Sequence, residues 1–161
     1  MSDTNIIDKI KSSFASAVVE SHTFRGDQTV TVKKESGLEL IKFLRDEPGL
    51  AFNFMMDITA VDYLERKTTR FEVVYHLYSL QFNHRVRVKI PVGEEDCKAD
   101  SVVTLYKTAN WYEREIWDMY GIKFNGHPNM TRILMYEGFK GHPLRKDYPI
   151  NKRQPLIGPM N

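Results

Sequence analysis

Residues 71–92, FEVVYHLYSLQFNHRVRVKIPV, carry apolar side chains at every second position through two runs split by a short polar break. Phe71, Val73, Tyr75 and Leu77 alternate in the first run. Val86, Val88 and Ile90 alternate with Arg85, Arg87 and Lys89 in the second. A period of two places each set on one face of a strand, and Gln81 to Asn83 supply a hairpin turn. Phe52, Phe54, Met56 and Ile58 repeat the pattern upstream as a third strand. Short loops between successive strands favour antiparallel order over the long crossovers that a parallel sheet demands.

Helical patterns flank these strands. Ile6, Ile7, Ile10, Phe14, Ala17 and Val18 fall on one helical stripe, with Lys9, Lys11, Ser12, Ser13 and Ser16 on the rest, as in a helix packed on a core. Phe24 to Val32 reads as a β pair turning at Gly26-Asp27. Ser36 and Glu39 form a capping box ahead of Leu38, Leu40, Ile41 and Leu44, and Pro48-Gly49 stops a helix of about ten residues. Asn110 caps a third helix, Glu113 lies three residues on, and Gly121 takes the left-handed position at its end. Tyr112, Ile116, Met119 and Tyr120 share one side of it, while Glu115 and Asp118 are adjacent in space. The fold class is α+β: a small antiparallel sheet with helices packed on one face, followed by an extended C-terminal tail.

At 161 residues and 42% hydrophobic, the chain has room for one domain with a real core. Cys97 is alone, which excludes an intramolecular disulfide, a Cys-rich zinc site and an iron-sulfur cluster of its own. No apolar run approaches the roughly 20 residues that span a bilayer. Asp3 and Asp8 stand where a signal peptide would have its apolar core, so the chain reads as intracellular. The overall charge of +2 hides an asymmetry: residues 1–120 are net −3, whereas 121–161 hold seven basic and two acidic residues, net +5. Ten of the 16 Gly and Pro also lie in 121–161, against long helices or central strands there. The domains are thus a compact body, 1–120, and an extended basic tail, 121–161.

From Gly121 to Pro149 the tail reaches roughly 90–100 Å when extended, and fixing its backbone costs about 1–2 kcal/mol per residue. A second chain is expected to supply the contacts, its carboxylates meeting Arg132, Arg145 and Lys146 and its apolar pockets taking Phe139, Leu144 and Tyr148. Gly-His-Pro recurs at 126–128 and 141–143; each Pro holds its His extended, and positioning contacts from the two rings are expected. Glu115, Asp118 and His127 are the residues a stand-alone enzyme would use. No histidine lies at metal-ligand spacing between Trp111 and Tyr120, and nearby Arg114 makes ion pairing the simpler reading. A nucleic-acid arm is disfavoured, since Glu137 and Asp147 interrupt the basic residues.

The strings Ala-Asn-Trp-Tyr-Glu-Arg-Glu at 109–115, Asp-Met-Tyr-Gly-Ile at 118–122, Phe-Asn-Gly-His-Pro at 124–128, Arg132-Ile133-Leu134 and Gly-His-Pro-Leu-Arg-Lys-Asp-Tyr-Pro at 141–149 resemble the C subunit of NADH-quinone oxidoreductase, respiratory complex I. Weaker echoes run through 57–63 and 71–77. Thr131 stands where the family commonly has the first of two arginines. The resemblance implies a non-redox structural component of the peripheral arm, docked on the D subunit, the large one that helps form the quinone pocket, and next to the B subunit. Cofactors on this chain are none, with FMN and iron-sulfur clusters on other subunits. No nucleic acid is involved, and the membrane is reached only through the assembled complex, on the cytoplasmic face of the bacterial inner membrane. An equivalent component of a related membrane-bound hydrogenase or dehydrogenase complex is the alternative. The resemblance marks Glu113, Arg114, Glu115, Asp118, His127, Pro128, Arg132, His142, Pro143, Leu144, Arg145, Lys146, Asp147 and Tyr148 as partner-binding or structural. Among them Glu113, Arg114, Glu115 and Asp118 are expected to pair with one another and with the tail.

Overall fold

A computed structural model describes residues 5–155, so the last part of the predicted tail, 156–161, lies outside the described residues. The strands are β1 (Val18–Phe24), β2 (Asp27–Val32), β3 (Phe54–Asp62), β4 (Phe71–Ser79) and β5 (His84–Val92). They form one sheet in the order β1-β2-β5-β4-β3. β3, β4 and β5 follow one another through short loops and pair antiparallel. The central junction departs from the expected all-antiparallel order: β2 and β5 run parallel, Gln28 to Thr31 opposite Val86 to Lys89. The cause is the long connection after β2, which contains helix α2 (Gly37–Asp46). That connection carries the chain across the sheet to its far edge, and β4 and β5 then fill the gap back towards β2.

Side chains of Val30, Val88, Tyr75 and Ile58 line up across four strands by register. They join Ile10 of α1 (Ile6–Phe14), Leu40 and Leu44 of α2, and Ile116 of α3 (Ala109–Tyr120) in one buried cluster. All three helices therefore lie on one face of the sheet. A second, two-stranded sheet pairs β6 (Lys98–Asp100) in parallel with β7 (Lys123–Asn125), so the residues just past Tyr120 pack as part of the body.

Local differences from the sequence reading have local causes. α1 stops at Phe14 because Val18 already belongs to β1. The β1–β2 turn is Arg25-Gly26, with φ of 52° and 86°, while Asp27 pairs with Phe24; two left-handed residues are what a two-residue hairpin requires. Ser36 ends a 3₁₀ turn in helical geometry and makes no side-chain cap, so the capping box does not form. A bulge between Met55 and Asp57 breaks the alternation of β3. Met55, Ile58 and Ala60 point inward, and Phe54 and Met56 stay exposed.

Leu77 is fully buried in the middle of the sheet. Leu77→Ala is expected to cost about 2–5 kcal/mol in urea unfolding, and Val19→Ala, on an exposed edge, less than about 0.5 kcal/mol.

Candidate functional site

The residues singled out above converge on the C-terminal end of α3. A helix end leaves its last carbonyls without partners and carries partial negative charge. Here the tail supplies the missing donors. Gly121 takes φ of 81°, and its N–H closes the helix on the Trp117 carbonyl at 2.8 Å. The Asp118 carbonyl accepts from His142 Nδ1 at 3.0 Å, the Met119 carbonyl from the Leu144 N–H at 3.0 Å, and the Tyr120 carbonyl from Arg145 Nε. Residues 142–145 thus fold back as a cap. Gly121 has to be glycine: a Cβ there would lie 2.7 Å from the His142 ring and 2.8 Å from Arg145 Nη2.

Asp118 holds the next segment. Its side chain is completely buried. Oδ2 accepts the N–H groups of Ile133, Leu134 and Met135 at 3.1, 2.9 and 2.8 Å, while Oδ1 pairs with Arg132. Burial alone would raise this carboxyl, but the Met135 N–H, the Arg132 guanidinium and the other two N–H groups outweigh it and hold it below the usual carboxylate range. Arg132 also donates to the carbonyls of Phe139 and Gly141 at 2.8 and 3.2 Å and lies over the Trp117 and Phe139 rings. Arg114 donates to the carbonyls of Thr131 and Arg132 at 3.1 and 2.9 Å. Hence Arg132 and Arg145, expected to meet a partner's carboxylates, are both held within the chain, Arg132 by Asp118 and Arg145 by the Tyr120 carbonyl.

The remaining marked residues take separate places. The Asn129 N–H donates to His127 Nδ1 at 3.0 Å, so Nε2 carries the ring proton and donates to the Asn110 carbonyl at 3.0 Å. Tyr148 stacks on Phe139 with centroids 6.1 Å apart and accepts from Gln154 Nε2 at 2.8 Å. Pro143 is half-buried, whereas Glu115, Pro128, Leu144 and Lys146 are exposed. Glu115, Asp118 and His127 do not form a cluster, because the carboxylate of Asp118 and both ring nitrogens of His127 are taken up by the chain's own groups. Among the described residues no three His, Cys, Asp or Glu side chains gather as a metal-binding group.

Glu113 corrects the expectation that the helix acids all pair with Arg114 or the tail. It points into the core, fully buried, where Ser101 Oγ and the Val102 N–H each donate to it at 2.7 Å. No cation accompanies it among the described residues, and burial pushes its carboxyl up to about 7.

Residues of the body that sequence reading missed complete the anchorage. Arg70, itself buried, forks onto Asp62 through Nε and Nη2 at 3.1 and 3.0 Å, pairs with Glu94, and reaches Asp147 of the tail at 2.7 Å. Asp62 Oδ2 accepts the Lys146 N–H at 2.8 Å. Burial opposes ionisation of Asp62, but Arg70 and the backbone donors win and lower its carboxyl. Asp62 was within reach of the pattern: the inward alternation Ile58, Ala60 carries on to it. Gln154 clasps Lys140 at both backbone groups, 2.9 and 2.7 Å, and nothing in the sequence singles it out.

Fold and anchorage together define the class: an α+β body whose third helix holds a folded-back strap. The sequence model of the family described as "Respiratory-chain NADH dehydrogenase, 30 Kd subunit" matches residues 30–154, and the chain belongs to that family. It is 51% identical over 152 residues to the C subunit of NADH-quinone oxidoreductase from Citrifermentans bemidjiense, covering 93% of this chain and 92% of the relative. It is 45% identical over 161 residues to the C subunit from Geobacter metallireducens, covering 98% of each. Among solved structures, a trypsin-resistant fragment of Nqo5, residues 1–134, aligns with a TM-score of 0.68 at 31% identity, covering 76% of this chain and 97% of the fragment. A chain of the membrane-bound sulfane sulfur reductase, an archaeal respiratory complex, aligns with a TM-score of 0.75 at 24% identity over 91% of this chain and 85% of that chain and shares the fold. No helix among the described residues is long and apolar enough to cross a membrane.

Asp118→Ala leaves three backbone N–H groups and a guanidinium without their acceptor and is expected to cost about 3–5 kcal/mol in urea unfolding. For Glu113 the folded carboxyl, near 7, lies above the ordinary 4.5, so the folded state binds the extra proton between those values. Its contribution is complete below about pH 4.5 and is lost as pH rises towards 7. Glu113→Gln can keep the Val102 N–H on its oxygen and donate from its amide nitrogen to Ser101 Oγ with the hydroxyl turned, so the difference in unfolding free energy between wild type and variant should shift against wild type from about pH 5 to pH 8.

Proposed function

We propose that this chain is a non-redox structural component of the proton-translocating NADH-quinone oxidoreductase and that its strap docks on the D subunit, the large one of the quinone site, with the B subunit as a further neighbour. The chain carries no redox group in this reading. FMN and the iron-sulfur clusters belong to other subunits, and the complex places the chain at the cytoplasmic face of the bacterial inner membrane.

The observation that carries the proposal is the division of labour along the strap. Its inward groups, Arg132, His142, Arg145 and Asp147, are consumed in holding it to α3 and Arg70. Its outward groups include the exposed apolar side chains Leu134, Leu144 and Ile150. Around these stand Lys140, Lys146, Lys152 and Arg153, all exposed, with Glu137 and the Arg70-paired Asp147 as the exposed acids. A rigid strip of apolar side chains with a basic rim suits a partner surface with apolar pockets and carboxylates. Holding the strip in shape before docking reduces the ordering cost of association. Family membership and relatives named as the C subunit across nearly the whole chain support this complex over a related hydrogenase or dehydrogenase.

Recovery with the D subunit from gently solubilised membranes tests the reading. Wild type should bring down the D subunit, and Leu144→Asp combined with Lys146→Glu, both at exposed positions, should lower that recovery about tenfold, the loss of one interface anchor. Equal recovery from wild type and variant would count against the strap. Failure of wild type to recover any member of the complex would overturn the whole reading.

A further inference from the structure

We infer that the helix-free face of the sheet, at its hairpin end, is a second protein-binding surface that takes a neighbouring subunit presenting carboxylates among apolar side chains. This rests on the reading of the chain as one member of an assembly. The three helices lie on the other face; on this one Thr29, Thr31, Glu72 and Val74 are buried among the described residues, and Phe24, Phe54 and Met56 are left exposed. By register, Phe24 pairs with Asp27 across β1 and β2, and Arg85, Tyr78 and Phe54 form a row across β5, β4 and β3. His22, Thr29, Arg87, His76 and Asp57 form the next.

A sheet face left to water normally carries polar side chains, yet Phe24 is 65% exposed, Phe54 46% and, on the bulge beside it, Met56 41%. Leu80, 64% exposed, stands at the same end on the β4–β5 turn. Exposed apolar groups concentrated in one place mark interaction sites.

The two ends of the same face differ in charge. At the strap end Glu72 is buried and already matched by Lys67 and Lys89 at 3.1 and 3.0 Å. At the hairpin end Arg25, Arg85 and Arg87 make no ion pair among the described residues. Asp27 and Asp57 are the acidic groups of that end, leaving positive charge in excess. A two-fold contact with a second copy would bring arginines towards arginines, whereas a surface of apolar side chains and carboxylates meets both features. The nine residues of β3, at about 3.3 Å each, set this patch roughly 30 Å from the Asp62 end where the strap is tied. It is therefore a contact additional to the strap's.

Photocrosslinking in cells tests the inference, with p-benzoylphenylalanine at Phe54 or, separately, at Leu144 of the full chain. Position 54 should give an adduct with another protein of the assembly. Phe24→Ser together with Arg85→Glu should reduce that adduct about tenfold, leave the adduct from position 144 unchanged, and keep the thermal midpoint of the isolated chain near wild type. An adduct from 144 with none from 54, or one from 54 only with lipid or a second copy, would overturn the inference alone. Loss of both in the otherwise unsubstituted chain would overturn the reading it rests on as well.

Discussion

The strap's first return onto the body depends on one buried carboxylate. Asp118 sits on the last turn of α3 and takes four donors from the strap, three backbone N–H groups in succession and the Arg132 guanidinium. A buried charge is tolerated only when its hydrogen-bonding capacity is filled, so the carboxylate dictates the path of residues 132–135. The helix end acts the same way through its carbonyls, which demand donors and favour positive charge, and His142, Leu144 and Arg145 meet that demand.

This changes how the tail's ordering is understood. Extended Gly- and Pro-rich chain costs about 1–2 kcal/mol of backbone entropy per ordered residue, and a partner surface appeared necessary to offset it. The chain instead meets much of that cost itself, at four places: Asp118, the carbonyls of α3, the Arg70–Asp62 pair and the Gln154 clasp. The strap is thereby shaped by contacts within the chain.

Much of the body was legible because its signals are periodic. Alternation located β4 and β5, and the helical stripes located α1, α2 and α3. Asp62 and Glu113 could have been found by the same logic, since each occupies an inward position of its own period. The parallel β2–β5 junction was not legible, because local periodicity carries no information on which distant strand becomes a neighbour. The β3 bulge was hidden too: one extra residue turns Phe54 and Met56 outward without altering composition. Within the tail, the charged residues were identifiable but their destinations were not. Their partners are mostly backbone groups, and a helix's last carbonyls look the same in every sequence. Nothing in the sequence shows that Arg132 meets Asp118 and Arg145 the Tyr120 carbonyl.

Amide hydrogen exchange on the isolated full-length chain tests the central claim most directly. A strap built in before docking predicts that the N–H groups of Ile133, Leu134, Met135, Leu144 and Lys146 exchange as slowly as those in the last turn of α3, with no other protein present. Exchange of these five amides at the rate of unstructured peptide, alongside a protected α3, would contradict it and return the ordering of the strap to its partner.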